Sequence, residues 1–233
     1  MKIGFFGDSF CANDIWTNYE NVQSGTYLQL LATHYDAEIV NLGMGGSSIW
    51  DVLLLQIDPF IKNNNIPDIC VFVWTEHNRL FHRVLRNLNV GSTMSCILSD
   101  NPVLSTAANY YLHLHDPELD RYRYAAALHY FDTVVLPTFP KNTKIVHLWS
   151  FGHVHEWNDE NSFLPERLLY HHTWKNGLEI RPSLTSIITG QGILLSAMND
   201  RTENQLNHVP FGEKFDPINS LIFNLIKDAI DQQ

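Results

Sequence analysis

Four short blocks of this sequence carry residue types that suit acyl transfer. They are Gly7-Asp8-Ser9, the glycine-rich turn at 43–46, Asn78 and His208. A serine hydroxyl is a weak nucleophile until a neighbouring base takes its proton, and a histidine can be that base. We therefore predict that Ser9 attacks an acyl carbon and that His208 acts as the general base.

The tetrahedral intermediate of such a reaction carries an oxyanion, which needs hydrogen-bond donors that are already in place. The candidate donors are the backbone N–H of Ser9, the backbone N–H of Gly46 and the side-chain amide of Asn78. Glycine at position 46 fits this role because the backbone must approach the ligand closely. Asp8 is interpreted as an acceptor that stabilises the loop.

Apolar runs that alternate with helical patterns predict the elements that position these blocks. Strands are predicted at residues 3–6, 38–42, 68–74 and 144–149. This alternation is typical of a parallel sheet with helices on its faces. The first three blocks directly follow the first three strands, and ligands of open parallel sheets bind at the carboxyl ends of the strands. The sequence therefore places Ser9, Gly46 and Asn78 at one edge.

Helical spacing predicts the elements between the strands. Helices are expected at residues 27–35 and 49–57, the second capped by Ser47 or Ser48. Asp116-Pro117 and Asp216-Pro217 each read as an N-cap followed by proline at the first helical position. The helix after Asp116 is predicted from one apolar stripe: Leu119, Tyr122, Ala126, Tyr130 and Val134.

We expect a single domain over residues 1–233 with a helical insertion at about 76–140. Residues 192–196 are either a fifth strand or a helix. Residues 152–177 are polar and rich in histidine and tryptophan, which predicts a surface excursion. Its tryptophans either line a substrate groove or pack over the insertion.

The ordered set Ser9, Gly46, Asn78 and His208 resembles the SGNH (GDSL-type) hydrolase family. The resemblance covers the whole chain in outline, and four short blocks carry it. It implies a three-layer α/β/α, flavodoxin-like fold, hydrolysis of an ester, thioester or carbohydrate ester, and sometimes acyl transfer. It implies no metal and no organic cofactor.

Two positions depart from the pattern of that family. Gln205 stands where the family usually has an aspartate, three residues before the histidine. Asp200 and Glu203 lie in the same stretch and are the candidates to orient His208; a serine–histidine dyad helped by a backbone carbonyl is the alternative. In the third block, Asn78 lies between bulky neighbours, His77 and Arg79, where the family often has Gly-x-Asn-Asp.

The leading prediction is therefore a serine esterase that cleaves a carboxylester or a carbohydrate O-acyl ester through an acyl-enzyme on Ser9. An O-acyltransferase acting on a sugar would use the same residues, with an acceptor in place of water. A binding module that kept the pocket and lost catalysis is the third reading, and Gln205 favours it.

Charge and composition narrow the classes of partner. Lys and Arg number 15 and Asp and Glu number 25, which gives a net charge of −10. Such a chain has little diffuse attraction for nucleic acid or an anionic membrane. No apolar run approaches the length of a membrane span. We expect a soluble, cytoplasmic protein that acts on a small-molecule or carbohydrate ester.

The cysteines and histidines do not form a recognisable metal or redox motif. The spacing of Cys11, Cys70 and Cys96 fits no zinc ribbon and no CxxC motif. Histidines at 153, 155, 171 and 172 could suit zinc, but no acidic partner stands at a firm spacing. We predict no metal site and interpret Cys11 as a small packing residue beside Ser9.

Overall fold

The computed structural model describes residues 1–12, 25–85, 88–89, 93, 96–150, 174–180, 183–190 and 216–233. Five parallel strands form one sheet in the order β2-β1-β3-β4-β5. This is the flavodoxin-like strand order, and it confirms the predicted fold class. The strands are β1 (Lys2–Gly7), β2 (Glu38–Asn41), β3 (Ile69–Trp74), β4 (Lys144–Trp149) and β5 (Leu178–Glu179).

Helices cover both faces of the sheet and complete a three-layer α/β/α arrangement. One face carries α1 (Tyr27–His34), α6 (Leu184–Gly190) and α7 (Asp216–Asp231). The other face carries two longer helical runs. The first comprises α2 (Ile49–Asp51), a π-helix (Val52–Ile57) and α3 (Asp58–Lys62); the second comprises α5 (Pro117–Tyr130), a π-helix (Phe131–Val135) and a 3-10 turn (Leu136–Thr138). Helix α4 (Pro102–His113) precedes α5.

Strand β3 shows why this sequence builds a central strand. All six of its residues are buried, and successive side chains point to opposite faces. Val71 and Val73 belong to the core cluster under α1 and α7, whereas Phe72 and Trp74 belong to the cluster under α5. A continuous apolar run is what a strand covered on both faces requires.

Two predicted helix starts are confirmed. The Ser48 hydroxyl accepts a hydrogen bond from the Asp51 N–H, and the Asp51 carboxylate accepts one from the Ser48 N–H, which is a capping box. The Asp116 carboxylate accepts from the N–H groups of Glu118 and Leu119 at the start of α5.

The apolar stripe that predicted α5 lies on the solvent side of that helix. Leu119, Tyr122, Tyr130 and Val134 are 44 to 50% exposed. Tyr124, Leu128 and Phe131 pack on the sheet instead. The spacing therefore predicts the helix but not its buried face.

The fifth strand of the sheet lies where no element was predicted. Strand β5 directly follows residues 152–177, the predicted surface excursion, and it pairs with β4 through Leu178 and Glu179. Two residues are too few for a periodic signal. Residues 192–196, the predicted fifth element, lie outside the described residues. Within the described part of the chain, no helix is both long and apolar enough to cross a bilayer.

Candidate active site

Ser9 lies in the loop that leaves the carboxyl end of β1, and this loop is buried. Ser9 is 6% exposed, and Asp8 is fully buried. The Cys11 N–H donates to the Asp8 carbonyl at 3.2 Å, which closes a tight turn around Ser9. From α1, the Tyr27 hydroxyl donates to the Phe10 carbonyl at 2.9 Å. The backbone on both sides of Ser9 is thus fixed by hydrogen bonds.

The Asp8 carboxylate joins the first loop to the end of β4. One oxygen, Oδ1, accepts hydrogen bonds from the Phe10 N–H at 3.1 Å and from the Ser150 hydroxyl at 2.8 Å. The other oxygen, Oδ2, lies 3.8 Å from Nη2 of Arg79. Asp8 is therefore the loop-stabilising acceptor that the sequence suggested.

The glycine-rich turn after β2 packs directly on the Ser9 loop. The Gly43 N–H donates to the Cys11 carbonyl at 3.1 Å, and the Met44 N–H donates to the Gly7 carbonyl at 3.0 Å. A Cβ atom at position 43 would lie 2.4 Å from the Cys11 sulfur, so only glycine fits there. Gly46 has a φ of 75°, in the region that favours glycine.

A buried glutamine connects the Ser9 loop with the glycine-rich turn after β2. Gln56, in the π-helix that follows α2, is 2% exposed. Its amide accepts from the Gly7 N–H at 2.9 Å and donates to the Gly7 carbonyl at 2.8 Å. It also donates to the Ser47 hydroxyl at 3.2 Å. Gln56 therefore fixes the loop that carries Ser9 against the turn that carries Gly46.

Asn78 lies in the loop after β3, where α4 supports it. The Tyr111 hydroxyl lies 2.6 Å from the Asn78 carbonyl and 2.5 Å from the Leu88 carbonyl, so it donates to one of them at a time. The side-chain Oδ1 of Asn78 is buried and has no hydrogen-bond partner among the described residues. This oxygen is an acceptor, so its spare capacity suits a ligand group that donates a hydrogen bond.

His77, next to Asn78, is a partly buried histidine whose pKa is low. Desolvation lowers its pKa to about 4, and the nearby Arg121 and His115 act in the same direction. The Cys11 thiol is also held in its neutral form, because burial and then the nearby Asp8 carboxylate raise its pKa. Both results favour packing roles and argue against Cys11 as a thiolate nucleophile.

Three of the predicted site residues are thus brought to one edge of the sheet. Ser9, Gly46 and Asn78 follow β1, β2 and β3. Hydrogen bonds connect the first two loops directly and through Gln56, and Arg79 connects the third loop to the Ser47 carbonyl. His208, Asp200 and Glu203, the predicted base and its candidate partners, lie outside the described residues. So do the histidines at 153, 155, 171 and 172. Among the described residues, no group of three or more His, Cys, Asp or Glu is placed to hold a metal ion.

Sequence reasoning missed the residues that connect the loops. Gln56, Ser150 and Arg79 are polar, buried and hydrogen-bonded to a neighbouring loop. Two features of the sequence hinted at such roles: Gln56 is polar within the mostly apolar segment 49–57, and Arg79 lies beside Asn78 in the predicted pocket. Their partners come from other strand ends, so the sequence could not pair them.

Comparisons with known proteins support the fold. No family model matches the sequence, and no curated protein matches it. A solved structure of an Axe2 variant from Geobacillus stearothermophilus, described as an acetyl-xylooligosaccharide esterase, is 14% identical; the match covers 98% of this chain and 93% of that chain with a TM-score of 0.51.

A second solved variant of Axe2, described as an acetyl xylan esterase from the same organism, is 15% identical. That match covers 98% of this chain and 94% of the other, with a TM-score of 0.50. At such low identity, the likeness shows that the two chains share an α/β fold, with helices on both faces of a parallel sheet.

Proposed function

We propose that this protein is a serine esterase of the SGNH type, in which Ser9 forms an acyl-enzyme and His208 is the general base. The observation that carries the proposal is the meeting of three loops at the carboxyl ends of β1, β2 and β3. These loops carry Ser9, Gly46 and Asn78, and hydrogen bonds connect the loops to one another.

The reaction needs each of these groups. Ser9 Oγ attacks the acyl carbon as its proton passes to His208, and the carbonyl oxygen becomes an oxyanion. The N–H groups of Ser9 and Gly46 and the amide of Asn78 donate to that oxyanion. Collapse of the intermediate returns the proton to the departing alcohol, and water then hydrolyses the acyl-enzyme by the same steps.

The start of α7 supports a role for His208 at this edge. The Asn219 side chain, in the first turn of α7, accepts from the Tyr27 N–H at 2.9 Å. The Tyr27 hydroxyl in turn donates to the Phe10 carbonyl, next to Ser9. His208 precedes Asp216, the first residue of α7, by eight residues. Such a segment spans at most about 29 Å, so His208 is tied by a short segment to the helix that contacts Tyr27.

We propose an acetylated carbohydrate as the substrate class to test first. Two Axe2 structures that share the fold are described as acting on acetylated xylan or xylooligosaccharides. Acetyl is a small acyl group, and Ser9 lies in a loop with little exposed surface. In this scheme either Asp200 or Glu203 orients His208, or Ser9 and His208 work as a dyad without an acidic partner.

An esterase assay on three proteins tests the proposal. With 4-nitrophenyl acetate, we expect turnover by the wild type and a loss of kcat of at least about a thousandfold for Ser9→Ala. Ser220→Ala removes an exposed hydroxyl from α7 and serves as the matched control, with unchanged kcat. Equal rates for the wild type and Ser9→Ala would exclude Ser9 as the nucleophile.

Two more measurements identify the acyl acceptor, which is water or a sugar, and the carboxylate that orients His208. Product analysis with and without a sugar acceptor separates hydrolysis from O-acyl transfer. Asp200→Asn and Glu203→Gln identify the residue that orients His208, because loss of that carboxylate lowers kcat; near-normal rates for both variants would favour the dyad. A wild type without any turnover would favour the binding module, the reading that Gln205 supports.

A further inference from the structure

One buried arginine contacts all three loops that form the candidate site. The Arg79 side chain is 4% exposed. Its Nε donates to Glu76 Oε1 at 2.9 Å, in the loop after β3. Its Nη1 donates to the Ser47 carbonyl at 3.3 Å, in the turn after β2, and its Nη2 lies 3.8 Å from Asp8 Oδ2, in the loop after β1.

Two of these contacts fall beside a proposed oxyanion donor, and the third lies within the loop that carries the remaining donor. Asp8 is adjacent to Ser9, Ser47 is adjacent to Gly46, and Arg79 itself is adjacent to Asn78. A planar guanidinium presents its donors in a fixed fork, so it restricts the relative position of groups bound at its different nitrogens. One side chain therefore constrains the three loops together.

The burial of the Arg79 guanidinium supports a role in holding the three loops. Taking a guanidinium out of water is costly unless charged and polar partners replace the lost hydration. Here Asp8 is fully buried and Glu76 is partly buried, and both face the guanidinium. A purely apolar contact between the loops would avoid that cost, but it would fix their relative position less sharply.

We propose that Arg79 is a positioning residue. It lies next to Asn78 and contacts Asp8 and Ser47, the residues beside the other two proposed oxyanion donors, and so sets the spacing of the three donors. The inference rests on the proposed esterase function and deepens it. Arg79 itself does not touch the substrate. It acts through Asp8, Ser47 and the backbone of its own loop, so its loss lowers kcat through misplaced donors.

Arg79→Lys separates positioning from charge. Lysine keeps the positive charge but lacks the fork, so it cannot bridge the same three partners. A misplacement of about 1 Å can cost a hundredfold in rate. We expect kcat of Arg79→Lys with 4-nitrophenyl acetate to fall about 10- to 100-fold, with KM changed less than threefold. Arg123→Lys is the matched control, since Arg123 is a half-exposed arginine that pairs with Asp120, and its kcat should stay within twofold.

Hydrogen exchange of the native protein gives a readout that does not depend on turnover. In Arg79→Lys, amides of residues 7–11, 43–48 and 76–80 should exchange faster together, while amides of β4 and α7 keep their wild-type protection. If the wild type proves to lack esterase activity, the proposed function fails. The coupled change in exchange would still establish that Arg79 positions the loops.

The proposal is overturned by wild-type exchange in all three loops, or by a kcat of Arg79→Lys within twofold of the wild type. It is also overturned if the loss of kcat only matches the fraction of protein that is unfolded. Should Arg79→Lys fail to fold, Glu76→Gln offers a milder test. That variant removes the 2.9 Å ion pair and keeps the arginine, so we expect a three- to tenfold loss of kcat with the same pattern of exchange.

Discussion

The two ends of the sheet use polar residues in different ways. At the amino end, contacts are exposed or partly buried: the Lys2 N–H donates to Asp68, and the Gln233 amide binds both the N–H and the carbonyl of Ile145. At the carboxyl end, polar side chains such as Gln56 and Asp8 are almost fully buried. Oxygens of Asp8, Thr75 and Asn78 there have no hydrogen-bond partner among the described residues.

This contrast separates stabilisation from function. A buried polar atom without a partner costs free energy of folding, and a stability-driven sequence would replace it with an apolar group. Within the described part of the chain, the carboxyl end tolerates two such atoms, in Thr75 and Asn78, within a network of hydrogen bonds, whereas Asp8 Oδ2 faces the Arg79 guanidinium at 3.8 Å. We infer that the amino end mainly closes the fold, whereas the carboxyl end maintains a polar site at some expense of stability.

Among the residues that support Ser9 at the carboxyl end, Asn78 should give the largest effect when it is replaced by alanine. Removal of one oxyanion donor typically lowers kcat by about 10²- to 10³-fold. Stability should change little, because the variant also removes a buried oxygen without a partner. Steady-state kinetics with 4-nitrophenyl acetate and thermal unfolding test this pair of results. Asn109→Ala, an exposed position on α4, is the control, and equal losses of kcat in the two variants would contradict the assignment.

Gln56→Ala should affect both stability and rate. The change leaves the buried N–H and carbonyl of Gly7 without the side chain that binds them, which should destabilise the fold by about 2–5 kcal/mol. The Ser9 loop and the Gly46 turn also lose a shared contact, so we expect kcat to fall about tenfold. Urea unfolding measures the first effect; a loss below about 1 kcal/mol would mean that Gln56 contributes little.

His77 should make the stability of the protein depend on pH. Its pKa is about 4 in the folded protein and about 6.5 in an unfolded chain. Between these values the unfolded state binds more protons, so stability is full above about pH 6.5 and falls as the pH drops towards 4. The loss from this group should reach about 2 kcal/mol at pH 5. His77→Gln should flatten that part of the profile, and an unchanged profile would refute the assignment.

Gln233→Ala tests the amino end and should give the smallest effect. The variant loses the paired hydrogen bonds to Ile145 at an exposed position, which predicts a cost of about 1 kcal/mol in unfolding free energy. The rate should stay within twofold of the wild type, since the site lies at the opposite end of the strands. A tenfold loss of kcat would contradict the conclusion that the amino end of the sheet contributes to stability and not to activity.

Much of the fold was predictable because its strands are covered on both faces. The run that forms β3 is apolar throughout, and those that form β1 and β4 are mostly apolar, so all three can be recognised without knowledge of their neighbours. Strand β5 was not predictable, because a strand of two residues is too short to show an alternating hydrophobic pattern. The stripe from Leu119 to Val134 predicted a helix but not its orientation, because the sheet packs against Tyr124 and Phe131 on another face.

For the candidate site, residues next to strand ends were predictable and residues that connect loops were not. Ser9, Gly46 and Asn78 each follow an apolar run in the sequence. The Arg79 contacts with Asp8 and Ser47 depend on the strand order β2-β1-β3, which places three distant segments side by side. Long-range polar pairs of this kind become visible only once the topology is known.

Covalent labelling by a fluorophosphonate probe tests the central claim most directly, because the reaction requires an activated serine and no knowledge of the natural substrate. The wild type and Ser220→Ala should be labelled with equal rates, with the adduct mapped by mass spectrometry to the peptide that contains Ser9. Ser9→Ala should not be labelled. Absence of labelling in the folded wild type, or an adduct on another residue, would contradict the account of this edge as a serine hydrolase site.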